Sequence, residues 1–268
     1  MAVALPGLKR LAPRRPDLSL RAFRVWQRHR DVYLRLWRAE VIWPLFEPLI
    51  ALVAIGFGLG TFVDLDTDQR YIEFLAPGLL AVFPMWGAVS EGSWGAYMRL
   101  VTRRIYEAIM ATPVSIEDII AGEALWGATR ALIDTTYIFF LALAFGLLKS
   151  PWAIAIFPIA AIQGLMFASM ALAFTAKVRA ISSLNYFFAV FIIPMFWLSG
   201  AFFPLDRLPE WAQRAAWFVP TTHTVNVYRA LVEGRPTWGH LGDVAWLLAV
   251  AAVAFFIAIV AMRRRLIK

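Results

Sequence analysis

Six apolar runs separated by short polar stretches fill most of this 268-residue chain: 41–63, 72–98, 119–148, 152–176, 183–203 and 242–262. A helix needs about 20 such residues to cross a hydrocarbon layer, so each run is of spanning length and a water-soluble core is excluded. The expected fold is an all-α integral membrane protein. Its parts are six transmembrane helices, an N-terminal amphipathic interfacial helix and short extracellular helices before the last span. The expected division is 1–40, tail and interfacial helix, then 41–268, the transmembrane domain.

Charge placement sets the topology. Of the 26 Lys and Arg, nineteen fall in the N-terminal tail, the 99–118 loop, the 177–179 loop and the C-terminal tail, and six in the opposite loops. Arg130 lies inside the third run. Such an excess marks the cytoplasmic side, so both termini are expected in the cytoplasm. A net charge of +8 raises the question of nucleic acid, but this bias accounts for it, and no nucleic-acid partner is expected. The composition, 61% apolar and 16% charged, is far from soluble averages of about 45–50% and 25%. The chain has no cysteine, so no disulfide or thiolate chemistry arises, and no metal site is expected. The first run begins too far in for a cleavable signal.

Residues 1–17, with Pro6, Pro13 and Pro16, read as a flexible basic tail. From Leu18 to Glu40 the pattern turns helical. Arg21, Arg24, Arg28, Arg35 and Arg38 share one face, and Phe23, Val25, Trp26, Val32, Tyr33, Leu36 and Trp37 the other. A basic face opposite an aromatic one suits a helix lying in the membrane interface.

Ionisable residues within the runs need a reason, since each costs about 2.5–3.5 kcal/mol at a helix centre on insertion scales. Glu47, Glu91, Glu123, Arg130 and Asp134 are such residues. The spacing of Arg130 and Asp134 permits pairing on one helix face. The expected network joins Glu47, Glu91, Arg130 and Asp134, with Arg130 bridging Asp134 and Glu91 to lock two helices together. A polar lining of a substrate path and a proton relay are the alternatives. Aromatic residues supply a second set. Trp86 and Tyr97 share a face by helical counting, and Phe188, Phe191 and Trp197 with Phe196 form a rough stripe. They pack against lipid or a partner, or they line a path and stack on sugar rings or acyl chains.

Two polar stretches carry more order than plain loops. Residues 99–110 form a potential short helix bearing Arg103, Arg104 and Glu107, which Thr112-Pro113 breaks. Ser115 and Asp118 then make a capping-box-like start for the next helix. On the opposite side, Leu208-Pro209-Glu210 starts one short helix and Pro220 a second, with Gly234 at its stop. Trp211, Trp217 and Phe218 hold this pair at the membrane surface or as a re-entrant element.

Several blocks together resemble the permease subunits of type-2 ABC exporters, specifically the nodulation-protein J branch. They are Phe74-Leu-Ala-Pro-Gly78, Tyr106-Glu-Ala-Ile-Met-Ala-Thr-Pro-Val-Ser115 with Gly122-Glu123, Leu198-Ser-Gly-Ala-Phe-Phe-Pro-Leu205 with Leu208-Pro209, Pro220-Thr-Thr-His223 and Arg229-Ala-Leu231. The resemblance covers roughly residues 20–262. It implies a homodimer of six-span subunits bound to two copies of a separate ABC ATPase. Arg103, Arg104, Glu107, Thr112, Pro113 and Glu117 would form the coupling element that receives the ATPase motion. Residues 18–40 would be the connecting helix, and the outer pair, with Pro204, Pro209, Pro220 and His223, part of the extracellular gate. Substrates of the branch are lipo-oligosaccharides and related glycolipids; sister branches export polysaccharides or drugs. The chain itself would bind no cofactor, ATP and Mg residing on the ATPase.

Independently, no G-x-x-x-x-G-K-[ST] loop occurs, so this is not an ordinary P-loop ATPase. Gly56-Phe-Gly-Leu-Gly60 lies in an apolar run and reads as helix packing by small residues. Three readings compete with a glycolipid exporter: a drug or small-amphiphile efflux permease, a proton-coupled carrier using Glu47, Glu91 or Asp134, and a membrane transferase. The last lacks any acid–base–nucleophile cluster.

Overall fold

A computed structural model describes residues 18–63 and 69–267, the side chains of Ala39 and Trp43 excepted. The 1–17 tail and the acidic stop at Asp64, Asp66 and Asp68 lie outside the described residues.

Helix α1 (Ala22–Ala51) runs unbroken past residue 40 and continues through a π-helical turn, Leu52–Gly58. The interfacial stretch and the first apolar run are thus one rod. Pro44 and Pro48 lie inside it, and a missing N–H at each loosens the helical ladder just before the π turn. Helix α2 (Tyr71–Ser90) likewise continues through π turns Glu91–Gly95 and Met98–Thr102. It ends beyond the expected stop at Met98 because Arg99 is buried in an ion-pair network instead of facing water.

Arg104 then takes a left-handed conformation, φ 47°, and starts α3 (Ile105–Met110). The expected helix over 99–110 is therefore kinked in its middle. Helix α4 (Ile116–Ala144) opens on the Ser115–Asp118 capping box. Helix α5 (Ile156–Thr175) follows a 3₁₀ turn, Pro151–Ala155. Helices α6 (Leu184–Phe187) and α7 (Ile193–Trp197) are joined by a π turn, Phe188–Ile192. This rod stops at Trp197, short of the expected Phe203, and Gly200 takes φ +76° as the chain turns away. Helices α8 (Glu210–Trp217), α9 (Pro220–Glu233) and α10 (Gly239–Leu266) complete the described chain.

Among the described residues, four stretches are long and apolar enough to cross a bilayer: Glu40–Thr61, Tyr71–Thr102, Pro151–Thr175 and Gly239–Leu266. Helix α4 has the length but carries Glu123, Arg130 and Asp134; Ile181–Trp197 is apolar but short.

Helices α4 and α5 form the centre. A Cβ added to Gly127 would fall 2.2 Å from the Ala168 Cβ, and one on Gly164 2.5 Å from the Ala131 Cβ. Small residues on both sides let these backbones approach closely, which is how apolar helices associate where lipid offers no hydrophobic driving force. Helix α1 packs on α4 through Ala22, Val25, His29 and Tyr33, a stripe at three- and four-residue spacing, with Ala22, Val25 and His29 buried. Phe23, Val32, Leu36 and Trp37 of the expected apolar face remain exposed.

The two ends of the bundle differ. At one, residues 19–21, 99–118, 175–179 and 263–265 meet; at the other, Tyr71 Oη donates to Phe202 O, and the Lys149 N–H to Val232 O.

Candidate functional site

Glu123 is the hub of the basic end. It lies two turns into α4 and its side chain is 1% exposed. Arg99, arriving on the last turn of α2, donates to both carboxylate oxygens from Nε at 2.9 Å and Nη2 at 2.6 Å. The Tyr106 hydroxyl donates to the same carboxylate at 2.8 Å, and His29 Nε2 of α1 lies 3.2 Å away. Arg99 also reaches Glu91, its Nη1 3.3 Å from Oε2 and its Nη2 donating to the carbonyl at 3.0 Å. Four elements thus converge on one buried ion pair. Burial, together with the adjacent Glu123 charge, pushes the Tyr106 phenol well above its usual range, so it remains a donor. Tyr106 is fully buried, and it plugs the 103–115 segment into the bundle.

Further ties hold the same segment. Asp118 at the head of α4 accepts from the Ser19 N–H at 2.7 Å, the Ser19 hydroxyl at 2.9 Å and the Ser115 N–H at 3.2 Å. Burial acts to raise its pKa, but these hydrogen bonds prevail and hold the carboxyl below its usual range. Arg21 donates to Pro113 O, and Arg263 of α10 pairs with Glu117. The start of α1, the α3 turn and the end of α10 are therefore fastened to the first turn of α4.

Of the residues expected to couple to an ATPase, Arg103, Arg104, Glu107, Thr112 and Pro113 are exposed. Glu117 is not: it is buried against Arg263. Glu123, Arg99 and Tyr106 carry the anchoring instead. The joint occurrence of Tyr106 and Gly122-Glu123 in the sequence is the signal that pointed there; the role of Arg99 is a product of the extra helical turn.

Glu47, Arg130 and Asp134 share one cavity wall, while Glu91 pairs with Arg99. Arg99 takes Glu91, and Arg130 Nη1 lies 3.4 Å from Glu40 Oε2, with its guanidinium 5.1 Å from the Tyr33 ring centre. Arg130 therefore does not bridge to Glu91. Glu47 is exposed on α1.

Among the aromatics, Trp86 stacks on Phe188 at 5.6 Å, Trp94 on the other side of it at 4.2 Å, and Phe196 meets Trp86 edge-on. Trp94 was not anticipated; the π turn at Glu91–Gly95 brings it onto the Trp86 side. Tyr97 is buried and donates to Arg179 O at 3.0 Å. Phe191 and Trp197 are about half exposed, and Trp197 meets Phe196 edge-on at 5.3 Å.

At the far end, α8 leaves Trp211 and Trp217 exposed while α9 is buried along most of its length. Pro220 starts α9 and Gly234 ends it at φ 74°. His223 sits between Asp243 Oδ1, 2.6 Å from Nδ1, and Trp217 O, 2.7 Å from Nε2. Pro204 and Pro209 sit at the starts of a 3₁₀ turn and of α8. Arg229 lies 3.9 Å over the Phe74 ring and donates to Gly200 O at 2.6 Å. Three of the recognised sequence blocks meet in that contact.

A bundle of long apolar helices, with a non-membranous segment locked to it by ion pairs, defines an integral membrane protein. Residues 22–232 match the ABC-2 type transporter family, and the chain belongs to that family. It is 33% identical over 243 residues to Nodulation protein J of Rhizobium meliloti (strain 1021), covering 90% of this chain and 92% of the relative. Nodulation protein J of Sinorhizobium fredii (strain NBRC 101917 / NGR234) is 30% identical over 91% of this chain and 93% of its own length. Inner membrane transport permease YadH of Escherichia coli (strain K12) is 22% identical over 76% of this chain and 80% of that protein. The chain is thus an exporter permease, the transport component of a system whose ATPase activity lies on a partner.

Proposed function

We propose that this chain, as a homodimer with two ATPase subunits, exports a lipid-linked or amphipathic saccharide of the lipo-oligosaccharide or glycolipid class. The six apolar runs cross a bacterial inner membrane, with both termini in the cytoplasm. The nineteen-to-six placement of Lys and Arg supports that orientation. The observation that carries the reading is the buried Glu123–Arg99–Tyr106 lock. It fixes an exposed segment, bearing Arg104 and Glu107, to the ends of α2 and α4. Motion imposed on that segment from outside would reach both helices as rigid levers.

The test is co-purification with the ATPase and measurement of ATP-dependent glycolipid movement in vesicles. The charge reversals Arg104→Glu and Glu107→Lys should weaken ATPase capture while leaving the permease folded. Full ATPase capture and transport by both variants would place the docking surface elsewhere.

A further inference from the structure

Unsatisfied polar atoms gather in one cleft. Nine buried side-chain nitrogen and oxygen atoms among the described residues lack a hydrogen-bond partner, and two of these, Arg130 Nε and Asp134 Oδ1, belong to residues that line one cavity. An unpaired buried polar group costs roughly 1–3 kcal/mol, so the two together mark a place that something polar completes. Arg130 and Asp134 line a cavity of about 280 Å³ between α1, α2 and α4, with Glu47, Phe83, Trp86 and Ser90. The Arg130 side chain is 8% exposed; its Nη1 is paired with Glu40 at 3.4 Å, and its Nε donates no hydrogen bond. Asp134 is 4% exposed, and its Oδ1 accepts none. Gly87 makes room for that carboxylate: a Cβ there would lie 2.0 Å from Asp134 Oδ2.

The cavity's chemistry selects its occupant. The volume is slightly under the ~300–1,000 Å³ of drug-sized sites, enough for one ring and not for a chain. The carboxyl groups of Glu47 and Asp134 outnumber the single cation Arg130 on the cavity wall, so an anionic phosphate headgroup meets more repulsion than attraction. A cationic headgroup would answer the carboxyl groups and leave the Arg130 Nε–H unpaired. A neutral polyol answers both sets, its hydroxyls accepting from Arg130 and donating to Asp134. Trp86 offers an aromatic face against which the C–H side of a sugar ring packs. Helix α1, which supplies Pro44, Glu47 and Pro48 to the cleft, exposes Phe46 and Ile50 beside them, apolar surface for an attached chain.

We propose that the α1–α2–α4 cleft binds one neutral pyranose ring of an amphiphile, with Arg130 and Asp134 hydrogen-bonding its hydroxyls and Trp86 stacking on its face. This rests on the exporter reading and adds to it where one sugar ring binds, that the ring is uncharged, and which residues hold it.

The test uses the full chain with its ATPase partner in nanodiscs and a tritiated glucosyl-diacylglycerol as probe. Competition by phosphatidylglycerol and by dodecyltrimethylammonium is measured alongside. Trp86→Leu and Arg130→Gln should each weaken glucosyl-diacylglycerol binding at least tenfold, and both competitors should be at least tenfold poorer than unlabelled glycolipid. Capture of the ATPase reports the fold, and if Arg130→Gln fails that check, Trp86→Leu alone decides. Wild-type binding by the folded variants, or better competition by either charged amphiphile, would overturn the proposal. Failure of the exporter reading looks different: the probe binds with these residue dependences, but ATP does not move it.

Discussion

Removing the Glu123 carboxylate tests whether the buried pair holds the coupling segment. In Glu123→Leu, Arg99, 13% exposed, keeps only Glu91 at 3.3 Å and its carbonyl. Breaking a buried ion pair from one side costs about 3–5 kcal/mol, because the remaining charge is stranded. The Tyr106 bond to a charged acceptor, about 1.5–3 kcal/mol, falls within that sum. Tyr106→Phe should therefore cost about 1.5–3 kcal/mol and leave the Arg99 pair intact. The double variant Glu123→Leu/Arg99→Met removes both charges, and apolar replacement of a buried pair is often near neutral. Its cost should fall short of the two single costs added together by about 2 kcal/mol or more, within the range seen for directly coupled residues. Reversible unfolding in mixed micelles, followed by circular dichroism, measures wild type, Glu123→Leu, Arg99→Met, Tyr106→Phe and the double variant. Additive losses, within about 0.5 kcal/mol, would refute a direct energetic link between these side chains.

Three smaller perturbations probe other joints. Gly127→Leu forces atoms into Ala168, whose Cβ already lies 2.2 Å from where a Cβ would stand; overpacking of about 1–3 kcal/mol should appear as a lowered unfolding midpoint. Asp118 has a depressed pKa, so its contribution is complete above the ordinary Asp value of about 3.9 and is lost as pH falls through the lower folded value. Protease cleavage near Ser19 should accordingly rise at pH below that window, and Ser19→Ala, which loses the hydroxyl bond and keeps the backbone one, should reduce the rise. Gly234→Ala must hold φ +74° and meets Ser150 Oγ at 2.8 Å; a loss of about 1–2 kcal/mol in thermal unfolding is expected, and a gain would contradict the left-handed cap.

Much of the architecture was legible because bilayer thickness imposes a length that composition reveals directly. The capping box at Ser115 and the Pro220–Gly234 boundaries of α9 were equally readable, being local backbone chemistry. Ion partners were not. Glu91 and Arg130 face each other plausibly on ideal helices, but helix α2 runs on through two π turns, delivering Arg99 to Glu91 and Glu123. The same turns put Trp94 beside Phe188, which counting at 100° per residue cannot anticipate. The continuity of α1 was hidden for a different reason. A change from amphipathic to uniformly apolar pattern marks a change of surroundings, and it need not mark a break in the helix.

The central claim is that work done on ATP elsewhere reaches the bundle through the 103–118 segment. The direct measurement is the number of glycolipid molecules moved per ATP hydrolysed, in vesicles containing the complete complex, for wild type and Tyr106→Phe. The account predicts that hydrolysis persists while the ratio falls at least tenfold. An unchanged ratio, or movement by the permease alone in vesicles free of any ATPase, would contradict it.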